Sequence, residues 1–208
     1  SPAFYQERIT SLKKIRAGYS INCQSESIND ILNCYLFNAE QFHLERLENA
    51  LLNYNFVLPK EVSEYGNAWH FVMIYDLASA SPFFSADASR TLNRKMSSLL
   101  TSYLTLLDGE SSSLWHGRSS LIANAFLLAT MLPKENKAYR EQYSRAYGYM
   151  SDLHRALSTT EVWPEGYNYW INARAFQLIL ALSAFSNDQP DEKLQADVKH
   201  TIYRIGLW

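Results

Sequence analysis

The 208-residue sequence has few of the residues that interrupt helices, with only 7 glycines and 6 prolines. They lie mainly between stretches in which apolar side chains recur every three or four positions, and strand-like alternation is nearly absent. Consecutive helices with short connections pack as antiparallel pairs. The sequence therefore predicts an all-α protein of consecutive antiparallel helical hairpins. Its length predicts that residues 1–208 form a single helical domain.

Long apolar runs and an excess of one charge are missing as well. The longest apolar candidate, residues 121–132, is interrupted by Asn124 and Thr130 and falls short of the roughly 20 residues of a membrane span. It fits a buried helix better. The net charge is -2, which gives no basic surface for nucleic acid. We therefore expect no membrane span and no nucleic-acid partner.

Cysteine is scarce, and metal motifs are absent. Cys23 and Cys34 leave two readings open: a disulfide in an oxidising compartment, or two free thiols, which we favour. His43, His154 and His200 show no metal-ligand spacing, and no His-Glu-x-x-His or Cys-x-x-Cys occurs. A Gly-rich phosphate loop and a Gly-x-Ser-x-Gly elbow are missing too. The sequence predicts neither a metal nor a cofactor.

Turn and capping residues divide the chain into predicted helices. A helix over 28–52 is either one long helix or two joined near Asn38. The other predicted helices cover residues 2–17, 60–80, 87–107, 119–131, 137–157, 169–185 and 191 to the end of the chain. By periodicity alone, the hairpins are compatible with a compact bundle, a superhelical solenoid or an α/α toroid.

Aromatic residues are abundant, with 14 Tyr, 10 Phe and 5 Trp, and they are densest over residues 163–176. Tyrosine and tryptophan suit a groove that stacks against sugar rings. Tyr169 can donate and accept protons, and Arg174 can lower its pKa or hold a carboxylate in a bidentate pair. The alternative is a buried aromatic cluster with the arginine stacked on a ring.

Residues 114–124 form a second polar segment next to a predicted helix start. His116 is a natural proton acceptor, although a lone histidine is more often structural. Asn124 lies in an apolar helix, where its amide needs a partner on a neighbouring helix or in a cleft. Asn67, one turn before His70, is a weaker candidate. In a ring of hairpins the loops 111–120 and 158–169 lie on the same rim, since each precedes an odd-numbered helix.

At these segments the sequence resembles the α/α-toroid polysaccharide lyases, the alginate lyase and heparinase II/III group, over about residues 59–185. The resemblance rests on a helix with Asn67, Trp69 and Tyr75-Asp76, on a helix that opens with Trp115-His116, and on Pro164-Glu165-Gly166-Tyr167-Asn168-Tyr169. Many members of this family have Asn-His where this chain has Trp115-His116, so the amide that neutralises the substrate is missing at that place.

The resemblance implies β-elimination on an acidic, uronate-containing polysaccharide, without a cofactor. Asn67, Arg118 or Asn124 would bind the uronate carboxylate. Tyr169 or His116 would remove the C5 proton, and Tyr169 would protonate the leaving oxygen. Arg174 would hold Tyr169 or the substrate. The substrate-binding residues implied besides these are Trp115, Trp163, Glu165, Tyr167 and Trp170.

The family also implies an incomplete toroid, because a complete one needs more helices than the eight predicted here. The chain would then be a fragment of a longer toroid or a reduced member, with a second copy or a missing C-terminal domain against it. A periplasmic or secreted location follows from the substrate. Two alternatives stay open. One is a toroid glycoside hydrolase that uses Glu165 with a second carboxylate. The other is a non-catalytic helical module that binds a glycan or a protein.

Overall fold

The computed structural model describes residues 22–38, 40–56, 66–109, 116–159, 175–188 and 191–206. These residues form α-helices and contain no strand, so the predicted all-α class is confirmed for them. The eight helices are α1 (Ile28–Asn38), α2 (Gln41–Leu52), α3 (Ala68–Ser79), α4 (Ala86–Gly109), α5 (His116–Thr130), α6 (Lys137–Ser158), α7 (Ala175–Asp188) and α8 (Glu192–Gly206).

The helix bounds follow local capping chemistry. Residues 28–52 form two helices, which is one of the two predicted alternatives. Helix α6 begins at Lys137, as predicted, because the Asn136 side chain accepts a hydrogen bond from the Ala138 backbone N–H at 2.9 Å. Helix α3 begins at Ala68, after Gly66 and Asn67, rather than at residue 60. The predicted helix over 2–17 lies outside the described residues.

The chain divides into two compact units. Unit 1 comprises residues 1–54 and 74–91, and unit 2 comprises residues 55–73 and 92–208. The division falls within α3 and within α4. Whether the two units fold as the single predicted domain stays a prediction.

Unit 1 contains the α1–α2 hairpin and a disulfide that joins α1 to the loop before it. Cys23 is bonded to Cys34 of α1, so the expectation of two free thiols was wrong. Sequence spacing could not decide this, because the bond requires the loop to fold back until the two Cα atoms are 5.7 Å apart. Arg46 of α2 holds the loop in that position by donating to the carbonyl oxygens of Cys23 and Ser25.

Unit 2 contains α5, whose residues 117–129 are all buried. Helices α6 and α7 both pack against α5, and α8 packs against α6 and α7. A helix that is apolar on every side is stable in water only when other elements surround it. The prediction that residues 121–132 form a buried helix is confirmed for residues 121–129, and the helix ends at Thr130. No helix in the described ranges is long and apolar enough to cross a membrane.

Side-chain contacts give the directions of the helices in unit 2. Phe126, late in α5, lies against Tyr143, early in α6, whereas Arg118 of α5 lies against Tyr149, further along α6. Helices α5 and α6 are therefore antiparallel. Lys134, just before α6, forms an ion pair with Asp188 at the end of α7, with the two charged atoms 2.6 Å apart. Helices α6 and α7 are therefore antiparallel too.

Candidate functional site

A buried polar cluster joins the beginnings of α3 and α7 to the second and third turns of α5. The Asn124 side-chain oxygen accepts the backbone N–H of Trp69 at 2.7 Å. The Asn124 amide nitrogen donates to the Ser120 carbonyl at 2.8 Å and to the Gln177 side-chain oxygen at 2.9 Å. The Gln177 nitrogen in turn donates to the Ser120 hydroxyl at 2.8 Å. All three polar side chains are buried, and Asn124 has no exposed surface.

This cluster confirms one of the two expectations for Asn124, namely that its amide hydrogen-bonds neighbouring helices. Both of its donors and its acceptor are engaged within the protein. The Trp69 N–H is one of the first N–H groups of α3, which have no partner within their own helix. Asn124 thus caps α3 from α5. With no exposed surface, the Asn124 amide could meet a dissolved ligand only if this cluster opened.

The cluster places the N-termini of α3 and α7 beside the second and third turns of α5 in unit 2. Ser120 is in the second turn of α5, Gln177 in the first turn of α7, and Trp69 in the first turn of α3. The aligned peptide dipoles give the N-terminal end of a helix partial positive charge, which favours anions nearby. The segments 110–115 and 160–174, which precede α5 and α7 in the sequence, lie outside the described residues.

Aromatic side chains surround the start of α3. The Phe176 side chain is 58% exposed, and its ring packs edge-on against Trp69 with 5.2 Å between the ring centroids. The His70 ring also lies against the Trp69 ring, with 5.6 Å between the ring centroids. Burial lowers the pKa of His70 below its ordinary value of 6.5, which favours the neutral imidazole at pH 7.

Asn67 lies at the same end of unit 2, immediately before α3. Its carbonyl oxygen accepts the His70 backbone N–H at 3.2 Å, and its side-chain nitrogen donates to the Asn55 carbonyl at 3.1 Å. The side chain is half-buried. Asn67 and Trp69, which sequence analysis grouped together, are therefore close to the Asn124 cluster.

Arg118 is on a different side of α5. It is buried, donates to the Leu107 carbonyl at 3.3 Å, and lies over the Tyr149 ring with 5.6 Å between the guanidinium carbon and the ring centroid. Six positions separate Arg118 from Asn124, which is about 240° around a helix. The structure therefore does not bring these two predicted carboxylate-binding residues together.

The remaining predicted site residues lie at the edge of the described residues or outside them. His116 is the first residue of α5, which begins at the end of unit 2 described above. Seven others lie outside the described residues: Trp115, Trp163, Glu165, Tyr167, Tyr169, Trp170 and Arg174. Their roles stay predictions.

Sequence analysis missed Ser120 and Gln177, which complete the buried cluster. Gln177 is a polar residue inside the apolar run from Phe176 to Leu180. The reasoning that singled out Asn124, an amide in an apolar helix that needs a partner, applies equally to Gln177. Within the described part of the chain, no group of three or more His, Cys, Asp or Glu side chains could hold a metal ion.

Comparison of the chain with protein-family models, with curated proteins and with solved structures finds no match.

Proposed function

We propose that the protein is a polysaccharide lyase-like protein that binds and cleaves an acidic, uronate-containing polysaccharide at the end of unit 2 where α3, α5 and α7 begin. The observation that carries this proposal is the buried cluster of Asn124, Ser120 and Gln177, which holds the starts of α3 and α7 against α5. The segments richest in candidate catalytic residues directly precede α5 and α7 in the sequence.

The chemistry of this end suits a polyanionic sugar. Helix N-termini favour carboxylates, and the exposed Phe176 ring beside Trp69 supplies an apolar face of the kind that packs on sugar rings. The half-buried amide of Asn67 is the described residue best situated to donate to a uronate carboxylate. We therefore favour Asn67 over Asn124, because Asn124 has no exposed surface.

In the proposed reaction, binding of the carboxylate acidifies the proton on C5 of the uronate. Tyr169 or His116 removes that proton. The electron pair of the C5–H bond forms the C4–C5 double bond, the C4–O glycosidic bond breaks, and Tyr169 protonates the leaving oxygen. Arg174 orients Tyr169 or the substrate. Trp115, Trp163, Glu165, Tyr167 and Trp170 line the subsites.

The assembly and location belong to the same proposal. We infer an incomplete α/α toroid, which a second copy or a further domain would complete. The disulfide between Cys23 and Cys34 supports a periplasmic or secreted protein, because such bonds persist in oxidising compartments.

The test is incubation of the protein with alginate, polygalacturonate and heparin, followed by ultraviolet absorbance and by a reducing-end assay. A lyase produces an absorbing unsaturated uronate. New reducing ends without that absorbance would indicate instead a hydrolase using Glu165, and binding without either product would indicate a non-catalytic module. Tyr169→Phe should abolish turnover. Tyr203→Phe is the matched control, since Tyr203 is 65% exposed on α8.

A further inference from the structure

A shallow, open pocket in unit 2 lies between the end of α4 and the middle of α6. Its volume is about 300 Å³, and its lining residues are Asp108, Arg145, Gly148, Tyr149 and Asp152. This volume is at the lower end of the range of small-molecule sites and suits a ligand of the size of one sugar ring.

The polar groups of the pocket are held in place by one another. The Asp108 carboxylate accepts hydrogen bonds from Arg145 and from the Tyr149 hydroxyl, the latter at 2.6 Å. Buried Arg118 supports the Tyr149 ring from within unit 2. Burial, and then the hydrogen bond to Asp108, raise the pKa of Tyr149, so its phenol stays protonated as a donor. A ligand would therefore meet groups that already hydrogen-bond one another on side chains that are about half exposed to solvent.

These groups retain both acceptors and donors for a ligand. An ionised carboxylate has about four acceptor positions and a guanidinium has five N–H donors. Asp108 uses two acceptor positions on Arg145 and Tyr149, and Asp152 uses one on Arg155. Neighbouring hydroxyls of a sugar need a donor and an acceptor close together, which Arg145 and the two carboxylates provide.

Gly148 has no structural role in the fold that would require a glycine. A Cβ added there would meet no atom within 4 Å, and the residue lies inside α6 with an ordinary helical backbone. A glycine inside a helix costs about 0.5–1 kcal/mol relative to alanine. The missing side chain instead leaves the floor of the pocket open.

The charges in the pocket select against charged ligands. An anion would face the carboxylates of Asp108 and Asp152, and a cation would face Arg145 with Arg118 behind the Tyr149 ring. We propose that this pocket binds one unit of a neutral sugar through its hydroxyl groups. The proposal does not depend on the lyase-like activity, since none of the residues that line the pocket is assigned to that reaction.

Isothermal titration of the whole protein with glucose, galactose and mannose tests this proposal, with glucuronate and glucosamine as charged counterparts. We expect at least one neutral sugar to bind with a Kd on the order of 1 mM, as a small ligand with few buried contacts does. Gly148→Leu should weaken that binding by about tenfold or more, because the leucine side chain fills the pocket.

Two control variants locate the binding. Ala138→Leu places the same side chain on an exposed position in the first turn of α6, outside the pocket lining, and should bind sugar like the wild type. Phe83→Ala removes an exposed aromatic ring in unit 1 and should also leave neutral-sugar binding unchanged. The proposal is overturned if no neutral sugar binds, if a charged sugar binds more tightly than the neutral ones, or if Gly148→Leu binds as the wild type does.

Discussion

The side chain of Asn124 caps a helix other than its own: its oxygen accepts the backbone N–H of Trp69, 55 positions earlier in the sequence, at 2.7 Å. Trp69 is in the first turn of α3, whose N–H groups have no partner in that helix. Through Gln177 the same amide reaches the first turn of α7. One fully buried asparagine therefore fixes the starts of two neighbouring helices against α5.

Replacement of Asn124 by leucine should destabilise the protein by about 2–4 kcal/mol, because the Trp69 N–H and the Gln177 side chain lose a buried partner. Urea denaturation measures the change. The double variant Asn124→Leu with Gln177→Leu should cost less than the sum of the two single changes, since it removes both partners of one hydrogen bond. A cost below about 0.5 kcal/mol for Asn124→Leu, the range of ordinary surface substitutions, would contradict this role.

Gly66→Ala should destabilise the protein by about 1–3 kcal/mol through overpacking. A Cβ at Gly66 would lie 2.9 Å from Cζ of the Tyr103 ring, which is fully buried and cannot move away easily. Gly148→Ala is the matched control, since it meets no atom within 4 Å and should stabilise α6 by about 0.5–1 kcal/mol. Thermal melting of the two variants should move in opposite directions from the wild type.

Stability should fall with acid because of His154. Burial lowers the pKa of His154 below its ordinary value of 6.5, and the nearby Asp197 only partly opposes this. The unfolded chain therefore binds a proton more readily than the folded one. The stability that neutral His154 contributes is complete above pH 6.5. It is lost as the pH falls from 6.5 through the lower pKa of His154 in the folded protein.

His154→Gln should make the urea-unfolding free energy less dependent on pH in this window. Burial also lowers the pKa of His70. The difference in pH dependence between this variant and the wild type therefore gives the contribution of His154 alone. Identical pH dependence in the two proteins would show that His154 does not couple to folding.

Reduction of the disulfide between Cys23 and Cys34 should lower the unfolding free energy by about 2–3 kcal/mol, because the bond closes a short loop in the unfolded chain. Urea denaturation with and without dithiothreitol measures the change. The double variant Cys23→Ser with Cys34→Ser should show the lower stability under both conditions. Alkylation of the unreduced, denatured protein at either cysteine would contradict the bond itself.

The sequence predicted what depends on local chemistry. Asn136 marks the start of α6 because its side chain caps that helix, and the apolar residues of α5 predicted its burial. Asn124 could be recognised as an amide in need of a partner. Its two partners could not be predicted, because Trp69 and Gln177 are 55 and 53 positions away in the sequence and approach Asn124 only when the helices pack.

Arg118 and Asn124, which sequence analysis offered as alternative residues for binding the uronate carboxylate, lie on different sides of α5. The two residues are close in sequence, and sequence analysis treated their segment as one polar unit. Helical periodicity alone separates them by about 240° around α5. In the structure Arg118 accordingly contacts Leu107 and Tyr149, whereas Asn124 hydrogen-bonds to Trp69 and Gln177. Periodicity could therefore have predicted that they serve different surfaces, although not which residues they contact.

Phe176→Ala should weaken binding of an acidic polysaccharide with little effect on stability. The Phe176 side chain is 58% exposed, so truncation removes little buried area, yet its ring completes the aromatic surface beside Trp69. We expect an affinity loss of about five- to tenfold, corresponding to about 1–1.4 kcal/mol. Affinity electrophoresis in gels containing alginate, polygalacturonate or heparin measures it. Phe83→Ala is the control, because Phe83 is 72% exposed and belongs to unit 1. If both variants bind as tightly as the wild type, or if both lose affinity equally, the aromatic surface at Trp69 and Phe176 is not the polysaccharide site.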